Sequence, residues 1–223
     1  WRLGESSGTV AVELVNGING TYAGGVTLGW AGLVAGSDTA VRFDGVDDVV
    51  TVPNSTFLNL RTRTAQTVEA WFSVTDTSAK QVIYDQGGTS RGLNMYVSGG
   101  RAYVGAWNTA NDASADTPWA SGPAFVSAPI SADTTYHLVL VYDQPNGRIE
   151  GFLNGASIGT VTGVGTLHQA AAANGIGAMN DGTRFHDSSN GGNGFRFAGT
   201  IDEVAVYNKV LSAATIAAHH AAG

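Results

Sequence analysis

The chain has 223 residues, with 31 glycines, no cysteine and a charged fraction of 13%. This composition suits a turn-rich β domain and excludes disulfides, thiolate zinc sites and a charged helical bundle. The formal net charge is −7 without a basic stripe, which argues against nucleic acid and anionic membranes as partners. No stretch approaches the roughly 18 apolar residues of a membrane span. We expect one domain, residues 1–223, within a longer chain.

Short runs rich in β-branched and aromatic residues recur along the chain, and Gly, Asn, Asp and Ser separate them. About eleven such runs predict an all-β fold, a two-sheet antiparallel jelly-roll sandwich. The runs lie at residues 40–43, 48–53, 67–74, 81–86, 92–99, 101–107, 135–143, 147–155, 156–163, 174–179 and 195–208.

Two Asn-Gly pairs and one Ala-rich segment specify further local structure. Asn146-Gly147 and Asn154-Gly155 predict tight turns of a three-stranded meander. The segment "LSAATIAAHHAAG" predicts one short C-terminal helix that is capped by Ser212.

Two long polar loops, at 107–124 and 179–194, are where we expect a ligand, because long unstructured segments in compact domains are often functional. Flat amide, guanidinium and aromatic groups suit a sugar. The candidate carbohydrate-binding residues are Asp112, Trp119, Asn180, Asp181, Arg184 and His186. The alternative is that these loops cap the end of the sandwich.

Strand alternation adds two aromatic candidates for the same role. Tyr96 and Trp107 lie on predicted strands whose alternate residues could line one sheet surface. Aromatic residues at alternating positions equally suit the core between the sheets, so both interpretations stay open.

The strands do not supply the two close carboxylates that a retaining glycosidase needs, about 5–5.5 Å apart. Glu69, Asp85 and Glu150 each stand alone in their runs. The histidines share no metal-ligand spacing. We therefore predict that the chain is not an enzyme.

Four pieces in order, "WRLGESSGT", "AVRFDGVDDVVTVP", "TVEAWFS" and "FAGTIDEVAVYNKVLSAATI", resemble the bacterial laminin G-like, concanavalin A-like jelly-roll superfamily. The resemblance implies a structural calcium ion bound by Asp202 in the last strand, by Asp44 and by the backbone carbonyl of Gly45, with Asp48 in reserve. Carboxylate and carbonyl oxygens suit this hard cation. Alternatively, these acids form turns and hydrogen-bond nearby backbone N–H groups.

The resemblance also implies the function. We expect a calcium-stabilised, non-catalytic carbohydrate-binding or adhesion module, monomeric, within a larger secreted or surface bacterial protein. Its partner would be a glycan or cell-surface polysaccharide, or a protein. The alternatives are a structural or docking module of a surface adhesin or phage tail and, less favoured, a cryptic glycoside hydrolase or lyase.

Overall fold

The computed structural model describes residues 1–36, 39–111 and 117–223, and its strands, numbered in chain order, form two large antiparallel sheets and a short hairpin. The eight-stranded sheet contains, from edge to edge, β1 (Val10–Ala11), β2 (Gly20–Ala23), β5 (Val49–Val52), β14 (Asn174–Ile176), β7 (Gln81–Gly87), β8 (Arg91–Ser98), β9 (Arg101–Asn108) and β10 (Ala124–Pro129). The seven-stranded sheet contains β13 (Ala156–Thr162), β12 (Arg148–Leu153), β11 (Tyr136–Asp143), β6 (Ala65–Val74), β17 (Ala198–Tyr207), β4 (Thr39–Asp44) and β3 (Thr27–Ala31). The hairpin pairs β15 (Thr183–Arg184) with β16 (Asn190–Gly191). This architecture confirms the predicted all-β sandwich.

The core lies between the inner faces of the two sheets, because alternate residues of each strand point toward the opposite sheet. Val68 and Phe72 of β6 and Val104 of β9 are buried members of this core. The intervening residues of β9 point away from the core, which places Tyr103 and Trp107 on the outer face of the eight-stranded sheet.

The meander and the helix form as predicted. β11, β12 and β13 pair consecutively, with Asn154-Gly155 as the two-residue turn between the last two. The helix α1 spans Ala213–Ala222, and the side chain of Ser212 accepts the N–H of Thr215 at 3.1 Å. Ile216 is buried against the outer face of the seven-stranded sheet. No helix in the described part of the chain has the length and hydropathy to cross a membrane.

A β-bulge in β17 separates the two adjacent acids Asp202 and Glu203. The register against β6 shifts between Asp202 and Ala205, and Glu203 has a φ of 47°. Asp202 is fully buried, and its Oδ2 accepts the N–H of Leu33 at 2.9 Å. Glu203 instead forms an ion pair with Arg2 at 2.9 Å. The bulge thus lets neighbouring carboxylates take different environments.

Candidate functional site

Residues 179–195, which we call the covering segment, lie across the outer face of the eight-stranded sheet. Phe185 of this segment is buried, and its ring centroid is 4.9 Å from that of Tyr96. The His186 ring stacks on Tyr103 at 4.2 Å, and its Nδ1 is 2.8 Å from the Tyr96 hydroxyl. Burial lowers the pKa of His186. The aromatic face of this sheet is therefore packed against the protein's own chain.

Polar contacts anchor the same segment to the sheet. Asn94 on β8 donates to the Thr183 hydroxyl at 2.9 Å and to the Arg184 carbonyl at 2.8 Å. Lys80 forms an ion pair with Asp187 at 2.8 Å. Asp85 lies buried beneath the segment, and burial raises its pKa well above the ordinary value although it accepts a hydrogen bond from Thr183. The covering segment is a fixed part of the fold.

The prediction that Tyr96 and Trp107 form an open sugar platform is therefore wrong. Both side chains are fully buried, although they face away from the inter-sheet core. Tyr96 lies under the covering segment. Trp107 stacks on Phe125 and donates its indole N–H to the Gly88 carbonyl at 2.9 Å. The aromatic rings of this face support loops, since another part of the chain takes the place that a ligand would need.

Trp119 also needs correction, because the structure places it in the core rather than on an exposed loop. It is 5% exposed, stacks on Tyr142 at 5.8 Å and donates its indole N–H to the Thr166 carbonyl at 2.8 Å. Its edge borders a concavity of about 470 Å³ that His168 also lines. Asp112, its predicted partner, lies outside the described residues.

A polar cavity of about 300 Å³, which we call the rim cavity, lies beside the turn between β7 and β8. Arg184 reaches this turn, since its Nε donates to the Thr89 carbonyl at 3.2 Å. Asp181 is exposed in the cavity wall. Asp181 therefore lines the cavity, whereas Arg184 bonds to the adjoining turn without being a lining residue. The lining residues are Gly88, Thr89, Ser90, Arg91, Ala170, Ala171, Ala172 and Asp181.

Buried side chains hold the walls of the rim cavity in place. Asn59 is fully buried and donates to the carbonyls of Ala170 and Ala172 at 2.8 and 2.7 Å. Asn180 donates its side-chain amide to the Asn174 carbonyl at 3.1 Å. This residue, which the sequence predicted to bind sugar, therefore fixes the loop and does not line the cavity. His186 packs on the sheet and is likewise absent from this lining. A cavity built on such contacts is preorganised.

A larger concavity of about 530 Å³, which we call the apolar groove, runs between residues 13–18 and the end of β17. Leu14 and Val15 on its wall are 66% and 84% exposed. Val206 and Phe57 also line it. This surface is chemically unlike the rim cavity, because its walls are mainly apolar.

The turn between β4 and β5 gathers three carboxylates, Asp44, Asp47 and Asp48, which we call the acidic turn. One ligand atom from each lies within 4.8 Å of the others. Asp48 Oδ2 accepts the N–H of Asp44 at 2.8 Å, whereas its Oδ1 is buried without a hydrogen-bond partner among the described residues. Gly45 has a φ of 80° and leaves room for Ala198, since a Cβ there would lie 2.9 Å from the Ala198 Cβ.

Electrostatics in the acidic turn favours a cation. The pKa of Asp48 is raised, mainly by burial and further by the nearby Asp44 and Asp47 carboxylates. The hydrogen bond from the Asp44 N–H acts in the opposite direction. Three carboxylates this close repel one another unless a proton or a cation neutralises them. Oxygen ligands of this kind fit calcium.

The predicted pairing of Asp202 with Asp44 on one ion is corrected by the strand register. Asp44 lies opposite Ala198, and Asp202 is four residues further along β17. Four residues of strand span about 13 Å, which is too far for two carboxylates to bind the same ion. The described residues group Asp44 with Asp47 and Asp48, next to Gly45 in the same turn, and calcium binding there stays a prediction.

A family profile described as the concanavalin A-like lectin/glucanases superfamily matches residues 44–217. The chain belongs to this superfamily. The match confirms the resemblance drawn from the four sequence pieces. No curated protein sequence matches the chain significantly.

Solved structures of other proteins share the jelly-roll fold at low sequence identity. An SAP-like pentraxin from Limulus polyphemus is 17% identical, with a TM-score of 0.54 over 80% of this chain and 79% of that chain. The CBM40 of a Ruminococcus gnavus IT-sialidase, bound to α2,3-sialyllactose, is 18% identical, with a TM-score of 0.53 over 73% and 84%. Domain 4 of a GH43 extracellular arabinanase from Geobacillus stearothermophilus, in complex with arabinotriose, is 14% identical, with a TM-score of 0.54 over 97% and 84%.

The superfamily includes glycosidases, so the positions of the strand carboxylates matter. Asp85 is buried beneath the covering segment. Glu69 is held under α1, where it accepts the Tyr207 hydroxyl at 2.7 Å and contacts His219 at 3.1 Å. Glu150 forms an ion pair with Arg148 at 3.0 Å. These three carboxylates are engaged by other side chains or buried, rather than paired across an open cleft.

Two parts of the candidate site were missed in the sequence. Thr89, Ser90 and Arg91 of the rim cavity follow two glycines in "QGGTSRG", a strong turn signal between two predicted strands. Asp47 belongs to "DGVDD", where the sequence analysis considered its neighbours as ligands. The turn signal could have identified residues 89–91 as part of a site. The alanine wall at 170–172 has no comparable signal in the local sequence.

Proposed function

We propose that this chain is a non-catalytic carbohydrate-binding module of a larger secreted or cell-surface bacterial protein. The observation that carries the proposal is the rim cavity, in which a carboxylate and hydroxyl groups converge beside a flat wall of alanines. Structural neighbours support the ligand class, because a Ruminococcus gnavus CBM40 binds sialyllactose and a Geobacillus stearothermophilus arabinanase domain binds arabinotriose.

The chemistry of the rim cavity suits a sugar. Its volume of about 300 Å³ is at the lower end of ligand pockets, enough for one or two rings. The Asp181 carboxylate can accept hydrogen bonds from sugar hydroxyls, and the Thr89 and Ser90 hydroxyls can both donate and accept. The methyl groups of Ala170 and Ala172 offer an apolar wall for the C–H face of a ring.

The absence of catalysis is part of the same proposal. A glycosidase needs one carboxyl group to protonate the leaving oxygen and a second to attack or to activate water. Asp85 has the raised pKa of an acid but is fully buried. The proposal therefore assigns ligand binding to the exposed Asp181 and leaves the buried Asp85 a structural role.

Calcium is the proposed stabilising ion, held by the acidic turn. Asp44, Asp47 and Asp48 would supply carboxylate oxygens, and the buried Asp48 Oδ1 fits this role because it lacks a hydrogen-bond partner among the described residues. A bound cation would neutralise the three carboxylates and stabilise the connection between β4 and β5.

The sugar proposal is tested by isothermal titration calorimetry with ligands chosen from a glycan array. Asp181→Asn should weaken binding about tenfold or more, because a hydrogen bond to a charged acceptor is replaced by a weaker one. Asp133→Asn is a matched control, since both residues are exposed and have positive φ that Asn tolerates. An array and calorimetry without binding, or equal affinity in both variants, would count against the rim cavity.

A protein-docking role is the second candidate, and the apolar groove favours it. Leu14 and Val15 expose apolar side chains next to Val206 and Phe57. Among the described residues, β17 pairs with β4 only as far as Ile201. The Val204 carbonyl accepts the Trp1 amino group at 2.7 Å, and residues 205–207 border the groove. An extended peptide with alternate apolar side chains fits such a surface. Leu14→Asp should abolish peptide binding and leave sugar binding unchanged.

A further inference from the structure

Trp30 differs from the other tryptophans of this chain, all five of which lie within the described residues. Trp30 is 41% exposed, whereas Trp1, Trp71, Trp107 and Trp119 are each 8% exposed or less. A single exposed apolar residue is common on protein surfaces. Exposure alone therefore does not indicate a binding role for Trp30, and the contacts around the indole have to be considered.

Polar side chains lie next to the exposed indole of Trp30. Trp30 lies on β3, an edge strand, and its cross-strand partner is Ala40, a small residue that is fully buried. The Arg42 guanidinium lies 4.8 Å from the centroid of the Trp30 ring. Thr27, also exposed, pairs with Arg42 across the strands. We call Trp30, Arg42 and Thr27 the Trp30 surface.

The indole is held in place rather than free to rotate. Its strand pairs with β4, and the guanidinium over the ring adds a cation–π contact. A ring that is already oriented loses little conformational entropy when a ligand stacks on it. Preorganisation of this kind is what an aromatic sugar platform requires.

The backbone around Trp30 disfavours pairing with a strand of another protein. A bulge lies between Thr27 and Trp30, and Gly29 within it has a φ of 68°. The N–H of Gly29 already bonds to the Glu5 carbonyl at 3.2 Å. Strand addition needs a regular row of free backbone groups, and bulges are one way in which proteins prevent it. Recognition at this edge must therefore use side chains.

We propose that the Trp30 surface is a second carbohydrate contact, which stacks the C–H face of a pyranose ring on the indole face that Arg42 does not cover. The negative face of the aromatic ring attracts the slightly positive C–H groups of the sugar. Arg42 supports the indole from its other face, and the Thr27 hydroxyl can donate to or accept from a sugar hydroxyl at the edge of the ring. This inference rests on the proposed carbohydrate-binding function but uses residues on the other sheet from the rim cavity.

The experiment uses acrylamide quenching of tryptophan fluorescence, because Trp30 is the tryptophan that solvent reaches. Laminarin, xylan, mannan and arabinan are added in turn to the full chain, and binding is measured in parallel by calorimetry. A polysaccharide that binds should lower the quenching constant at least twofold. Trp30→Phe should remove this protection and most of the quenching, whereas Val10→Ala, a change at another exposed apolar residue, should leave both intact.

The outcomes separate this inference from the proposed function. Protection that persists in Asp181→Asn supports the Trp30 surface as a site of its own. Calorimetric binding without any protection of Trp30 overturns the inference and leaves the rim cavity standing. Absence of calorimetric binding to every polysaccharide and glycan overturns both proposals. The last two outcomes are measured on the unaltered protein, so misfolding of a variant does not affect them.

Discussion

Asp202 and Leu33 are joined by a hydrogen bond of 2.9 Å from the Leu33 N–H to the Asp202 carboxylate. The contact connects the middle of β17 to the loop after β3, more than 160 residues earlier in the chain. The sequence analysis expected a calcium ion to make this kind of long-range connection. A backbone amide satisfies one carboxylate oxygen there, which is the kind of contact that the alternative interpretation described.

Asp202→Ala should destabilise the fold by about 1–3 kcal/mol, because the Leu33 N–H loses its partner. Asp202→Asn keeps a side-chain oxygen acceptor and should cost less. Urea denaturation measures both free energies of unfolding. Equal stability of Asp202→Ala and the unaltered protein would show that the contact contributes nothing.

Calcium should raise the melting temperature through the acidic turn. At a free concentration one hundred times the dissociation constant, binding to the folded state adds about 2.7 kcal/mol. For a chain of this size that corresponds to roughly 5–10 °C. Asp48→Asn should remove most of the shift, whereas Asp202→Asn should keep it. Differential scanning calorimetry with calcium and with chelator measures this, and an unchanged melt under chelation would reject the ion.

Asp85→Asn should change how stability depends on pH. Burial raises the pKa of Asp85 well above its ordinary value, so the folded state keeps a proton that the unfolded state loses. Stability from this group is therefore present below about pH 4 and is lost as pH rises toward the folded pKa. The Asn variant cannot ionise, so its free energy of unfolding should fall less between pH 4 and pH 7.

Asp76→Asn provides a control of opposite sign for that measurement. Hydrogen bonds from the Ser78 hydroxyl and N–H lower the pKa of the exposed Asp76. Its contribution is present above about pH 4 and is lost as pH falls through the folded pKa. Parallel curves for Asp85→Asn and the unaltered protein would mean that Asp85 ionises equally in both states.

Trp119→Ala should cost about 3–5 kcal/mol, since the buried indole stacks on Tyr142 and bonds to Thr166. Trp30→Ala should change stability by about 0.5 kcal/mol or less, because that ring is exposed. Chemical denaturation of both variants tests the contrast between a core and a surface tryptophan. Similar losses for the two would contradict the positions described.

Glu69→Gln should reduce the loss of stability in acid. Burial alone would raise the pKa of Glu69, but hydrogen bonds from His137, Tyr207 and His219 outweigh it and hold the pKa below the ordinary value. Stability from this carboxylate is present above about pH 4.5 and is lost as pH falls through its folded pKa. Denaturation at pH 3, 4 and 6 measures the difference, and identical pH curves would argue against the network.

Sequence patterns predicted the strands well because side-chain alternation is a local property. The run at 67–74 alternates so that Val68 and Phe72 enter the core, and this follows from strand geometry alone. The Asn154-Gly155 turn and the Ser212 cap are equally local, since they depend on backbone conformations that neighbouring residues permit. These features were therefore predictable without any knowledge of partners.

The candidate site was only partly predictable, because exposure depends on distant residues. Nothing near Tyr96 in the chain indicates that Phe185, nearly 90 residues later, covers it. Likewise, Trp119 follows a polar loop, yet its indole fits against Tyr142 on the other sheet. Asp181 and Arg184 were identified because several planar and charged groups cluster within a few residues of sequence.

The sequence by itself determined the all-β sandwich, its turns, its terminal helix and the superfamily, since all of these follow from short-range periodicity and ordered motifs. Only the tertiary structure decided which aromatic rings are covered, that Trp30 is exposed, and that Asp47 rather than Asp202 accompanies Asp44. The physical reason is that strand register and loop packing set these distances, and both depend on contacts between residues far apart in the chain.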